Sequence, residues 1–183
     1  THNIIGLFLA KLFKKKVVVT PHFHIGHHQY ETKANFWLMK QCDAVFAVTN
    51  YEREYLIGKG LDRNKVFVAY NAIDPARYKP TELEDFKKKI FEKYDIKEGT
   101  KVVIFIGRKV EYKGINILIE AVRRLTKEMP AKLFLVGPDF PWFQGYYSDL
   151  SETDRRNIID LGVVSRETKV NLLHLSDLLV LPS

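Results

Sequence analysis

The segment Ile106-Gly107-Arg108-Lys109-Val110-Glu111-Tyr112-Lys113-Gly114 sets two glycines and three cations between an apolar run and an amphipathic one. The glycines let backbone approach a ligand closely. Arg108 offers a fork of donors for phosphate oxygens, and Lys113 adds a point charge. With a strand before it and a helix after it, the segment gathers N–H groups at a helix N-terminus. A diphosphate is the natural guest there. On residue types alone, a solvated basic loop with glycine turns is an equal reading, since the segment is neither a Walker A loop nor G-x-G-x-x-G. A second cluster holds His22, His24, His27 and His28. Four imidazoles invite a metal, yet no carboxylate or cysteine accompanies them, and a strand-end loop does not readily converge four rings on one point. No metal site is expected; surface histidines or histidines lining a cleft are the other readings.

Two further groups carry alternatives. Lys11, Lys14, Lys15 and Lys16 follow Ile4-Ile5-Gly6-Leu7-Phe8-Leu9. They read as the end of a helix covering a sheet, or as a surface that docks on anionic lipid. Phe140, Trp142, Phe143, Tyr146 and Tyr147 either stack on a sugar or base, or pack an irregular loop.

The elements that must hold these residues alternate. Helical periodicity covers 2–13, 29–41, the stretch from Thr49 to Gly58, a charged run to about Lys93, 115–128 and 166–175. Apolar strand-like runs cover 17–20, 43–48, 65–69, 102–106, 132–136, 158–161 and 178–181. Thr49 with Glu52, and Thr81 with Glu84, have the spacing of capping boxes. Residues 137–145 read as a loop. Continuous apolar strands between amphipathic helices predict α/β architecture, with parallel sheets covered on both faces. In such sheets ligands bind at the carboxyl ends of strands, which ranks the loops after Thr20, Ile106, Val136, Leu161 and Leu181. Asn71, Asp74, Pro75 and Pro80 mark a linker, giving domains 1–72 and 73–183.

Composition narrows the partners. Of 183 residues, 46% are hydrophobic and 28% charged, which suits a globular chain rather than a disordered one. Twenty-nine basic against 22 acidic residues leave a net charge of +7, favouring anionic partners. The single cysteine, Cys42, excludes an intramolecular disulfide framework and reads as a small buried hydrophobe. No apolar run is long enough for a transmembrane helix, and the charge after the first apolar stretch is on the wrong side for a secretory signal. Both ends read as cut, so both domains are expected to be incomplete.

The order of motifs resembles the retaining GT-B glycosyltransferases of glycosyltransferase family 4 (glycosyl transferases group 1). Gly107-Arg108 through Lys113-Gly114 is similar to the family's G-R-x-x-x-x-K-G. Asp43 to Thr49 resembles its D-x-V-x-x-x-S strand, and Tyr70-Asn71-Ala72-Ile73-Asp74 its N-G-I-D linker, with Ala72 in place of glycine. Leu133 to Pro138 resembles L-x-I-V-G-x-G, Leu161 to Ser165 G-x-V-S, and Ser176 to Ser183 A-D-x-x-V-x-P-S. The resemblance implies two GT-B-like, Rossmann-like domains and transfer of a sugar from a nucleoside-diphosphate sugar, UDP- or GDP-linked, to an acceptor hydroxyl. It implies Arg108 and Lys113 on the diphosphate, Gly107, Gly137 and Val164 bordering the donor, and His22 in the T-x-H position facing the transferred sugar. Asp139 is a further neighbour. His24, His27 and His28 would line the acceptor side. No cofactor is implied. The absence of any Asp-x-Asp triplet fits metal-independent chemistry. The acceptor would be a carbohydrate or lipid-linked hydroxyl, in a cytoplasmic setting with a possible anionic membrane surface. The family's E-x7-E segment belongs after Ser183 and its first glycine loop before Thr1. These residues alone are therefore expected to bind nucleotide weakly and not to transfer sugar. A nucleotide-sugar epimerase or a phosphorylase of the same fold is the alternative among enzymes. A basic nucleic-acid-binding module fits poorly, because the charges are spread over helices rather than gathered in a groove.

Overall fold

Two separate parallel sheets organise the chain. The computed structural model describes residues 2–23, 25, 26 and 28–182, and the chain divides into units Thr1–Ile73 and Asp74–Ser183. The first unit holds β1 (Val18–Val19), β2 (Ala44–Ala47) and β3 (Val66–Val68) in the order β1-β2-β3, all parallel. Helices α1 (His2–Leu12), α2 (Lys33–Gln41) and α3 (Asn50–Gly58) accompany them. Strand β2 is paired on both sides, and Val45 and Ala47 are buried as a central strand requires. Leu7, Leu38, Met39, Cys42, Leu56 and Val66 complete this core. Burial pushes the Cys42 thiol up from its ordinary range, which keeps it protonated and unreactive. Helix α1 buries Leu7 but leaves Ile4, Ile5, Phe8, Leu9 and Leu12 exposed, as is Phe13 just after it.

The second unit is a four-stranded parallel sheet in the order β6-β5-β4-β7. Its strands are β4 (Lys101–Ile106), β5 (Ala131–Val136), β6 (Ile158–Gly162) and β7 (Leu178–Leu179). Side chains alternate between faces, as the period of two demands. Val103, Phe105, Leu133 and Leu135 pack with α5 (Ile115–Glu128) and Phe143 of α6 (Pro141–Ser148). Val102, Ile104, Phe134 and Val136 pack against residues of α4 (Leu83–Lys93) and α8 (Arg166–Leu175). Helix α5 forms because Ile115, Leu118, Ile119 and Val122 return to one face every three or four residues. Each such burial stabilises by about 1.5–3 kcal/mol relative to exposure. Met129 turns extended and Pro130 cannot continue the helix.

Several expected boundaries move, for local reasons. Helix α2 starts at Lys33, not residue 29, because Thr32 caps it by accepting from the Asn35 amide. The Asn35 side chain meanwhile takes the carbonyls of Gln29 and Tyr30 at 3.1 Å each. Thr81 caps nothing: the Asn171 side chain engages both its N–H (3.0 Å) and its C=O (2.7 Å). Glu82 opens α4 instead, at a φ of 47° and without a side-chain cap. The expected loop 137–145 becomes helical at Pro141, whose missing N–H is harmless at a first helical position. Its aromatic residues pack in pairs, Trp142 on Tyr146 and Phe143 on Tyr147, with Phe143 buried, while Tyr146 and Tyr147 each also line a surface hollow. A further short helix, α7 (Glu152–Asn157), capped by Ser151, was not expected. Strands β1 and β7 are each shorter than their apolar runs, and a 3-10 turn at Arg63–Lys65 precedes β3.

Candidate functional site

Strands β4, β5 and β6 end on the same edge of their sheet, and each end carries candidate residues. The Gly107 amide donates to the Val136 carbonyl (2.9 Å), and the Gly137 amide to that of Gly162 (2.8 Å). The three strand ends are thus laced by backbone. Gly137 has a φ of 134°, and a Cβ there would stand 2.0 Å from the Gly107 carbonyl oxygen. Close contact between the first two loops thus requires glycine at this position. Gly114, at a φ of 67°, stands just before α5, and a Cβ on it would meet Pro182 at 2.8 Å.

Two of the three cations of the first loop gather around one ring. Arg108 is exposed and donates to the Tyr112 hydroxyl. Its guanidinium carbon lies 5.9 Å from the Tyr112 centroid, and the Lys113 ammonium 5.6 Å from the same centroid. Lys113 closes a 3-10 turn, Glu111–Lys113, which delivers the chain to Gly114. Helix α5 has no side-chain cap, so its first-turn amides and its dipole add to the positive field. Val164 packs its side chain on the core of its unit while Val163 is exposed.

Lys109, next to Arg108, has none of its side chain in solvent and pairs with both Asp139 and Asp160. Its ammonium also stands 4.9 Å from the centroid of Phe143.

The histidine loop belongs to the first unit. His22 is exposed and has a φ of 45°, a conformation uncommon outside glycine that is found disproportionately at functional sites. The next amide, that of Phe23, donates to Glu52 Oε1 at 2.8 Å. Glu52 is buried, and its other oxygen accepts from the Val48 amide at 2.7 Å. Thr49 caps α3 as expected, accepting from the Glu52 amide at 3.0 Å. The carboxylate, however, reaches past the helix to hold the loop. The ring of Phe23 sits among Tyr30, Phe36 and Tyr55, with centroids at 6.0, 5.4 and 5.8 Å. Glu31 takes the Gly26 amide (2.7 Å) and the Tyr55 hydroxyl. The Tyr55 bond first, and the Gly26 amide second, hold the Glu31 carboxyl below its usual range; the same bond raises the Tyr55 phenol. A cleft of about 320 Å³, lined by Thr20, Pro21, Phe23, Tyr30, Asn35 and Met39 among others, adjoins the loop. His24 and His27 lie outside the described residues, and His28 is exposed. Among the described residues, no group of three His, Cys, Asp or Glu side chains is placed to hold a metal ion.

Residues 1–77 match the model of Glycosyltransferase Family 4, and residues 86–183 that of Glycosyl transferases group 1. The chain belongs to the glycosyl transferases group 1 family. This group 1 chain is 30% identical over 150 residues to N-acetyl-alpha-D-glucosaminyl L-malate synthase of Bacillus anthracis, covering 79% of itself and 36% of that protein. It is 28% identical over 135 residues to alpha-galactosylglucosyldiacylglycerol synthase of Streptococcus pneumoniae, covering 71% of itself and 35% of the relative. HepE of Anabaena, solved with UDP, superposes with a TM-score of 0.74 at 20% identity, over 97% of this chain and 49% of that one. The fold is therefore the α/β, GT-B type of these enzymes. The group 1 chain spans about half the length, or less, of the curated relatives it matches.

Two residues of the group 1 chain, Tyr112 and Lys109, carry no role in the sequence, and a third, Glu52, has there only that of a local cap. Tyr112 was visible as the one aromatic between two cations. Lys109 was harder, since its partners lie in the next two strand-end regions. Glu52 had been assigned to a local cap, and only folding brings Phe23 to it.

Proposed function

We propose that this chain carries the donor-binding part of a retaining, metal-independent glycosyltransferase, which moves a sugar from a nucleoside-diphosphate sugar to an acceptor hydroxyl. The observation that carries the reading is the pair Arg108 and Lys113, gathered on Tyr112 at the uncapped start of α5. Two cations and a helix dipole match a diphosphate, and they favour it further as charge grows on the leaving oxygen. That supplies the neutralisation a divalent metal would otherwise give. The acceptor oxygen bonds to the anomeric carbon and gives its proton to the departing diphosphate as the bond to that group breaks, on the same face of the sugar. Gly107 lets the phosphates approach, Gly137 and the Val164 backbone border the nucleoside, and His22 acts at the transferred sugar.

Solved complexes of HepE with UDP and with UDP-glucose favour a UDP-sugar as donor. The names of two relatives carry different groups, L-malate in one and a glycosylated diacylglycerol in the other, so they single out no acceptor; a carbohydrate or lipid-linked hydroxyl is the class proposed for this chain. A cytoplasmic setting follows from the same reading. The exposed apolar residues of α1, with Lys11, Lys14, Lys15 and Lys16, support peripheral contact with anionic lipid. Among the described residues, no helix is long and apolar enough to cross a membrane.

Thermal unfolding tests the reading. UDP, GDP, ADP and a short DNA duplex are each titrated, with and without EDTA. One nucleoside diphosphate should raise the midpoint, unaffected by EDTA, while the duplex leaves it unchanged. Protection by duplex alone would sink the proposal.

A further inference from the structure

The donor reading uses Arg108 and Lys113 and leaves the third cation of the same loop without a task. Arg108 is exposed, while Lys109, the next residue, is fully enclosed. A lysine almost never goes wholly inside without partners. Here the partners come from the next two strand-end regions: Asp139 lies two residues past Gly137, and Asp160 sits in β6. Asp160 also accepts the Gly162 amide at 2.9 Å, and the Lys109 amide donates to the Pro138 carbonyl at 3.1 Å. One ammonium therefore joins segments 107–109, 137–139 and 160–162. As a stability device this is a poor choice, because an apolar side chain of similar volume often serves as well as a buried ion pair. What an ammonium adds is direction: it fixes where each carboxylate, and the loop bearing it, must stand.

We propose that Lys109 is the positioning residue of the nucleoside side of the donor site. From inside the protein it holds the loop after β5 and the end of β6 in register with the phosphate-binding loop. The inference rests on the donor reading above and concerns which base is accepted. Lys109 does not touch the ligand. It sets the wall formed by Gly137 and by the backbone running from Gly162 to Val164.

The test exploits the identical diphosphates of UDP, GDP and ADP. Affinities for all three are measured by calorimetry on the wild type, Lys109→Met and Arg108→Met. Loss of phosphate grip, or of favourable field, weakens the three ligands in the same proportion. A displaced base wall changes their ratio. Arg108→Met should weaken all three about tenfold and keep the ratio of best to worst. Lys109→Met should shrink that ratio at least fivefold. The triple variant Lys109→Met, Asp139→Asn, Asp160→Asn removes both signs of charge at nearly constant volume. It should fold even where the single variant does not, and it should show the same shrinkage. Hydrogen exchange gives a second readout: the Gly137 and Gly162 amides should lose protection in both Lys109 variants while Ile104 in β4 keeps its own. Proportional weakening of all three ligands, or none, overturns the inference. So does a wild type that binds them without preference. A wild type that binds none of them overturns the donor reading and this inference together.

Discussion

At the scale of single residues, the site depends on groups that do not face a ligand. Gly137 is the sharpest case, because a Cβ there would lie 2.0 Å from backbone that cannot swing aside. Gly137→Ala should cost about 3 kcal/mol in urea unfolding, from overpacking and from strain at positive φ; a loss below about 1 kcal/mol would show that the two loops part easily. Glu52 makes a parallel case in the first unit. Its carboxylate accepts from the Phe23 and Val48 amides, so Glu52→Ala leaves two part-buried donors without that partner, at about 1 kcal/mol each. Glu52→Gln keeps an acceptor for one of them and should lose about half as much. Equal losses in the two variants would mean that the acceptor kept by glutamine contributes nothing to the fold. Tyr112 acts on the ligand side: losing its ring should loosen the placement of Arg108, and Tyr112→Ala should weaken nucleotide binding about threefold, in line with exposed cation–π energies of about 0.5–1 kcal/mol. Arg108 and Lys113 were legible in sequence because charge type and glycine spacing are local properties. Glu52 and Lys109 were not, because their partners stand 29 and 51 residues away.

At the scale of elements, both sheets open with the same device. Asp43, just before β2, donates its amide to the Val17 carbonyl (2.8 Å) and accepts the Val17 amide on its carboxylate (2.9 Å). Asp177, just before β7, does the same with Val102, at 2.8 Å in both directions. Each carboxylate also pairs with the lysine preceding that valine, Lys16 or Lys101. An aspartate thus sets the register where a parallel strand begins. The Val102 amide first, and Lys101 second, hold the Asp177 carboxyl below its ordinary range. The sign follows: a depressed carboxylate stabilises the fold above the unfolded value of about 3.9, and that contribution is lost as pH falls through the folded value. With the pair half-exposed and screened, about 1 kcal/mol is at stake. Asp177→Asn should therefore be less stable than wild type at pH 7, and the gap should close below about pH 4. A gap that stays constant down to pH 2 would exclude the carboxylate as its source. The alternation of strands and helices was legible because runs such as Val102 to Ile106 carry their own pattern. The ends of elements were less so. Helix α6 looked like a loop because its aromatic residues and Gly145 lack a clean helical stripe, and packing of Phe143 on the sheet decides the matter.

At the scale of the whole molecule, each unit has its own sheet and core, and every residue assigned to the diphosphate and nucleoside lies in Asp74–Ser183. A ligand that binds the folded form stabilises what it binds by RT ln(1 + [L]/Kd), about 2.7 kcal/mol at a hundredfold excess over Kd. The gain need not spread. Hydrogen exchange with and without saturating nucleoside diphosphate should slow amides in β4 and β5, such as Ile104 and Leu135, and leave Val45 and Ala47 of β2 unchanged. His22 belongs to the first unit, and a nucleoside diphosphate without its sugar offers that residue nothing to contact under the role proposed for it. Repeating the measurement with the nucleotide sugar separates the two halves of the mechanism. Added slowing at Phe23, where Glu52 holds the loop, would show that the sugar engages the histidine side. If the diphosphate alone protects both sheets equally, the division of labour between the units is wrong, and His22 takes part in holding the nucleotide rather than in acting on the sugar.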